Sequence, residues 1–403
     1  MFNFYRVAIL CFCLGNFFVL SLSASEVTRD DERWHDLGNK KLYPATASNS
    51  YEWFYFDVQQ QDGTQLAVSF LGPNTFDVSM QDILSGAGTS GHVGVVAQAY
   101  VPGVGQLQCF DSVLDPAQLV YKENKDASAW QLSIEGSQVS MQEAGKGKRN
   151  YSMDLNMNCQ LGATVVGAVT GHLYFEGELP GWKHNDGILF STSGGALYGS
   201  WIVPVPRAKV SGHYKFSMLN QNGGTDSTEV KIQHATGYHD HNRGNVPMSV
   251  GNEGWVWGRA VTKNGKTVVY AHLNGKSQPD FPGDQFVPTG PSNIVYLNDG
   301  GREVLDSDQV DFQIVGNEYD FTDANFGIDM MIPLQYKFTD PKSGLVVEAV
   351  MPKTASTTMP FYIRQESRLS VSDCHGKVDS GDLINEQIEF KLFFKYLGFP
   401  VFQ

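Results

Sequence analysis

Apolar and polar residues alternate along most of this 403-residue chain, and no long segment keeps the 3.6-residue period of a helix. The period-2 pattern predicts strands at 52–58, 65–71, 93–101, 130–134, 152–157, 198–205, 212–219, 229–235, 254–262, 266–273, 294–297, 309–315, 331–338, 345–351, 361–371 and 388–396. Hairpin turns are legible at Asn264-Gly265, Asp299-Gly300 and Asn222-Gly223-Gly224. A short helix or 3₁₀ turn is expected near 76–85 or 380–385. The fold class is therefore all-β, built as sandwiches or barrels.

The length suits two domains, because single cores stop growing at roughly 250–300 residues. Pro204-Val205-Pro206 is the best break, giving an N-terminal β-domain over 25–206 and a C-terminal one over 207–403; the loop at 220–227 is the alternative. Hydrophobic residues at 41% and charged residues at 18% exclude a disordered chain. A formal charge of −14 repels phosphate backbones, so nucleic acid is excluded as an expected partner.

Residues 1–24 read as a cleaved signal peptide. Arg6 supplies the positive end, 7–22 is nearly all apolar, and Ser21-Leu22-Ser23-Ala24-Ser25 offers small residues at the cut. This predicts entry into the secretory pathway, or a membrane anchor if the segment is kept. No later stretch has the length and apolarity of a span. Beyond that segment lie Cys109, Cys159 and Cys374, with no C-x-x-C spacing for zinc. Either one disulfide forms, Cys109–Cys159 being a candidate, or all three are buried thiols. Asn150-Tyr151-Ser152 is a glycosylation acceptor pattern.

Three clusters carry the functional candidates. In Tyr51-Glu52-Trp53-Phe54-Tyr55-Phe56-Asp57, strand spacing puts Tyr51, Trp53, Tyr55 and Asp57 on one face and Glu52, Phe54 and Phe56 on the other. Both faces are bulky, so both are expected to be covered. In Gly237-Tyr238-His239-Asp240-His241-Asn242-Arg243-Gly244, two histidines share a face. They bind a metal only if a third ligand joins them. The alternative is a buried polar strand end in which Asp240 fixes a tautomer or a turn. In Trp255-Val256-Trp257-Gly258-Arg259, two indoles and a guanidinium share a face, as a wall or as core closed by a snorkelling Arg. No phosphate loop and no G-x-S-x-G elbow occurs.

These clusters resemble a known superfamily. Glu52 to Asp57 is similar to the E-W-W-Y-F-D signature of the hydroxyneurosporene synthase (carotenoid hydratase) superfamily, Gly237 to Gly244 to its G-Y-H-D-H-N-W-G, and Trp255 to Arg259 to its W-x-W-G-R. Phe54 and Arg243 depart from it, each replacing a Trp. The resemblance implies two lipocalin-like β-domains with a pocket between them or in the C-terminal barrel. It implies a cofactor-independent enzyme acting on an apolar small molecule. The superfamily holds carotenoid hydratases and fungal Diels–Alderases, and a eukaryotic-style leader fits the fungal branch better.

The expectation that follows is a cyclase performing an intramolecular [4+2] cycloaddition on a linear polyene. Trp53, Tyr55, Asp57, Trp255 and Trp257 would bind the substrate. Tyr238, His239, Asp240, His241, Asn242, Arg259 and Glu52 would supply donors or acids. The rival is a hydratase that protonates an alkene through Asp240, Asp57 or Glu52. A non-catalytic carrier of an apolar metabolite is the third reading.

Overall fold

In the computed structural model, residues 25–43, 50–73, 75, 93–113, 115–161, 164–191, 197–220, 222–246, 248, 252–275, 293–316, 318–322, 329–359 and 362–389 are described. The signal-peptide expectation, the helix expected near 76–85 and the end of the strand expected at 388–396 lie outside them. The described chain is all-β, as the alternation predicts, with two large antiparallel sheets of lipocalin-like type and a separate two-stranded one. No described helix is long and apolar enough to cross a membrane.

The larger sheet runs, edge to edge, through Gly105–Val113, Val93–Val101, Gln65–Leu71, Tyr51–Gln59, Thr225–Gly244, Tyr198–Leu219, Thr164–Gly177, Lys148–Leu161, Ser137–Gly145, Ala129–Ile134 and Leu119–Glu123. It curls until Gly105–Val113 packs on Lys148–Leu161, where Cys109 and Cys159 form a disulfide. Its concave face holds an apolar core that includes Phe54, Phe56, Leu132 and Leu173. The second sheet centres on Asn252–Thr262, which lies between Lys266–Gly275 and Val378–Glu389. A third apolar cluster draws on both sheets and includes Trp182, Trp201, Tyr238, Trp257, Tyr296 and Ile384.

Three expectations need correction. The division near 206 falls inside the continuous strand Tyr198–Leu219. Register shifts at Ile202/Val205 and Val205/Ala208 admit Pro204 and Pro206 without ending the pairing. The chain passes from one sheet to the other between Gly244 and Asn252 instead. Residues 380–385 are not helical but lie in the strand Val378–Glu389, held by ladders on both sides. The run expected at 331–338 divides at Pro333: Asp329–Pro333 pairs with Glu318–Thr322, and Gln335–Thr339 joins the second sheet.

Candidate functional site

The first two clusters, far apart in sequence, become cross-strand neighbours. Tyr51–Gln59 pairs antiparallel with Thr225–Gly244, setting Trp53 opposite Asn242, Tyr55 opposite Asp240 and Asp57 opposite Tyr238. On the second sheet Trp257 lies opposite Glu386, and Glu386 opposite Arg364. Gly258 is required beside Trp257, because a Cβ there would come within 2.4 Å of the Tyr270 ring.

A cavity of about 70 Å³ opens where the two sheets meet. Trp53, Tyr55, Trp201, Trp255 and Trp257 give it aromatic walls, and Asp240, Asn242 and Glu386 give it polar ones. It has space for several waters at roughly 10–15 Å³ each, and is small beside the roughly 300–1,000 Å³ of ordinary ligand pockets. The indole N–H of Trp257 is buried and finds no acceptor among the described residues.

Asp240 is the polar centre of this wall. Its Oδ2 accepts from Trp201 Nε1 and from the Tyr238 hydroxyl, both at 3.0 Å, and its Oδ1 accepts from Asn242 Nδ2 at 2.7 Å. Burial pushes the carboxyl well above its ordinary range; the Trp201 and Tyr238 hydrogen bonds pull the other way, and Glu386 and Asp57 add to the rise. No described guanidinium or ammonium pairs with it. Tyr238 is buried behind Asp240, and burial, followed by the Asp240 charge, drives its hydroxyl far up.

The alternate residues of the same strand face away from the cavity. His239, His241 and Glu52, expected as donors or acids, are buried against the segment that follows the expected leader. His241 Nδ1 lies 3.0 Å from the Asp31 carbonyl and its Nε2 lies 2.9 Å from Glu52 Oε1. His239 stacks on Phe56 at 4.0 Å, and its Nε2 is 3.6 Å from Glu32. Glu32 closes the short helix Arg29–Glu32, is fully buried, and is met by Arg149 at 3.2 Å and by the Tyr151 hydroxyl. Arg243 donates to the Asp31 carbonyl at 3.0 Å and lies 2.9 Å from His35 Nδ1. This face therefore holds the segment around residues 27–37 on the sheet, and it does so with charges.

Burial raises the Glu52 carboxyl, but hydrogen bonds from His241 and His35 outweigh it and hold Glu52 down at about 2. Burial pulls His241 down to about 4 against the attraction of Glu52. His35, Glu52 and His241 bring ligand-type atoms within 4.8 Å of one another. The fixed charge of Arg243 beside His35 opposes a cation there.

Arg259 and Asp57 also lie off the cavity wall. They pair with each other across the two sheets, and Arg364 approaches Asp57 at 3.7 Å. Arg259 further donates to Thr236 Oγ1 at 3.1 Å. Asn150 lies within the paired strand Lys148–Leu161, and its carboxamide oxygen accepts from Gly177 N at 3.1 Å. Sequence reasoning missed Glu386, Trp201 and the N-terminal segment. For Glu386 the missing signal was the strand itself; for Trp201 the indole stood in the run 198–205 already expected to be a strand.

No family model matches the chain. A curated protein of Chlorobaculum tepidum, hydroxyneurosporene dehydrogenase, is 27% identical over 175 residues, which is 42% of this chain and 39% of that one. The chain thus matches about two-fifths of the length of that relative. Among solved structures, an AttH-type protein of Nitrosomonas europaea superposes with a TM-score of 0.52 at 13% identity, covering 92% of this chain and 98% of the other. The protein CghA superposes with a TM-score of 0.50 at 13% identity, covering 85% and 88%. The solved structures share the fold. At 13% identity the likeness to them shows the fold alone, and the sequence match covers less than half of either chain.

Proposed function

We propose that the protein is an enzyme of the hydratase, isomerase or cyclase type that protonates a carbon–carbon double bond of an apolar small molecule, with Asp240 as the acid. One observation carries this reading. A carboxyl group stands at the wall of an aromatic cavity, met only by neutral donors and pushed well above its ordinary range by burial, which favours its protonated form. Oδ1 has one donor and Oδ2 has two, which leaves Oδ1 the room for that proton. Protonation of an alkene leaves a carbocation, and the faces of Trp53, Trp255 and Trp257 stabilise it. The alkene carbon takes the Asp240 proton, the π bond breaks, and the charge appears at the neighbouring carbon.

The [4+2] cycloaddition is the second reading, favoured by the indole lining alone. It requires only that the walls hold diene and dienophile together, which relieves up to roughly 7–11 kcal/mol of orientation cost in favourable systems. The same proposal places the protein in the secretory pathway; the Cys109–Cys159 bond supports an oxidising compartment.

The test is turnover of acyclic isoprenoid and linear polyketide polyenes in D₂O. Acid catalysis puts deuterium on carbon and is lost in Asp240→Asn. Cycloaddition gives an undeuterated ring isomer, and Asp240→Asn retains it. Binding without product in either solvent supports a carrier and defeats both enzyme readings.

A further inference from the structure

A second carboxyl group faces the same cavity, and it comes from the other sheet. Glu386 lies in Val378–Glu389 and is only 7% exposed. Its Oε1 accepts from the Tyr55 hydroxyl at 2.7 Å and lies 3.2 Å from Arg364 Nη2, and the Tyr362 hydroxyl also bonds it. Arg364 in turn donates to the Tyr55 hydroxyl and lies over its ring, 5.8 Å from the centroid. Glu386 is thus fixed from three directions, on a strand and not on a loop.

Its surroundings differ in kind from those of Asp240. Asp240 meets neutral donors, whereas Glu386 meets a guanidinium that is itself 1% exposed. Behind the cavity two buried cations, Arg259 and Arg364, share Asp57. A buried cation without a counter-charge is strongly destabilising. Burial raises the Glu386 carboxyl, and the Arg364 charge with the Tyr55 and Tyr362 hydroxyls pulls the other way; Glu386 is placed to supply that second negative charge, whereas Asp240 has no such cation beside it. Two carboxyls with unlike surroundings on one cavity is the arrangement that separates acid from base.

We propose that Glu386 is a further catalytic residue: the anion that stabilises the cation made by Asp240 and accepts a proton from the water that captures it, so that the product is an alcohol. The proposal rests on the reading of Asp240 as the acid. In the first step the Asp240 O–H bond breaks and a C–H bond forms, leaving a cation and an Asp240 carboxylate. In the second, water forms a C–O bond to the cation and its proton passes to Glu386. Solvent then carries that proton from Glu386 back to Asp240, and in sum alkene plus water gives alcohol.

The cation can be imitated without knowing the substrate. N,N-dimethylhexylamine, protonated at neutral pH, and its neutral isostere 2-methyloctane are titrated against indole fluorescence. The native protein is expected to bind the ammonium at least about tenfold more tightly, Glu386→Gln to lose that preference, and Glu386→Asp and Asp240→Asn to keep it. Equal affinity for the two probes, or a preference that survives in Glu386→Gln, overturns the proposal.

On a polyene that the native enzyme hydrates in D₂O, Glu386→Gln is expected to keep putting deuterium on carbon while alcohol falls at least about tenfold. Undiminished alcohol in Glu386→Gln while Asp240→Asn is inactive sinks Glu386 alone. Full activity in Asp240→Asn sinks the acid itself, whatever the probes report.

Discussion

The two faces of residues 238–243 differ in side chains and in how their polar groups are held. Toward the cavity stand Tyr238, Asp240 and Asn242; toward the N-terminal segment stand His239, His241 and Arg243. The second face is the more heavily charged, and its charges are held: Glu32 by Arg149, Asp31 by Lys183, and Glu52 by hydrogen bonds from His241 Nε2 and the His35 backbone N–H. On the first face Asp240 has hydrogen bonds but no counter-ion. Paired charge fixes chain to chain. A carboxyl raised by burial favours the form that has a proton to give.

Substitutions on the two faces sharpen this contrast. Asp240→Asn keeps the shape and the Trp201 and Tyr238 neighbours but removes the acid, and turnover of a polyene should fall by roughly 10²–10⁴, with unfolding in urea little changed. Glu32→Ala should do the reverse. It strips Arg149 of its buried partner and should cost about 3–5 kcal/mol in the same unfolding assay, while turnover per folded molecule holds. A loss of turnover in Glu32→Ala as deep as that in Asp240→Asn would erase the distinction.

Acid separates the faces more gently. His241 titrates near 4 when folded against about 6.5 when unfolded. The unfolded chain therefore binds more protons across that window, and stability falls as pH drops from 6.5 toward 4. Glu52, held at about 2 against an ordinary 4.5, adds a further loss as pH drops from 4.5 toward 2. Unfolding free energies measured across this range should decline on acidification, and in His241→Asn the slope between 6.5 and 4 should flatten. The smallest effect is expected at Asn242→Ala. It removes one neutral donor to Asp240 Oδ1 and should change stability by about 1 kcal/mol. Loss of that donor should raise the Asp240 carboxyl further and shift the alkaline limb of the pH–rate profile upward.

Much of this was legible in the alternation. The strand spacing placed Trp53, Tyr55 and Asp57 on one face and Glu52, Phe54 and Phe56 on the other, and the structure keeps that division. Side-chain direction was legible, but not which direction held the cavity; the histidines drew attention and face the wrong way. Glu386 was hidden because from Leu383 to Gln387 the strand is buried on both faces, so alternation disappears and the run imitates a helix. The strands Gly105–Val113, Ser137–Gly145 and Thr164–Gly177 were also missed. The role of Glu32 depends on Arg149, Tyr151 and His239, partners more than a hundred residues away, which local pattern does not report. Pro204 and Pro206 looked like a boundary because a bulged strand and a broken one share the same residues.

The protonation state of Asp240 can be read directly by infrared difference spectroscopy on the purified protein at neutral pH, with Asp240→Asn as the reference. The account predicts a carboxylic acid C=O band in the native protein that disappears in the variant and persists well above the ordinary carboxylate range. A carboxylate signal from Asp240 at neutral pH would contradict it.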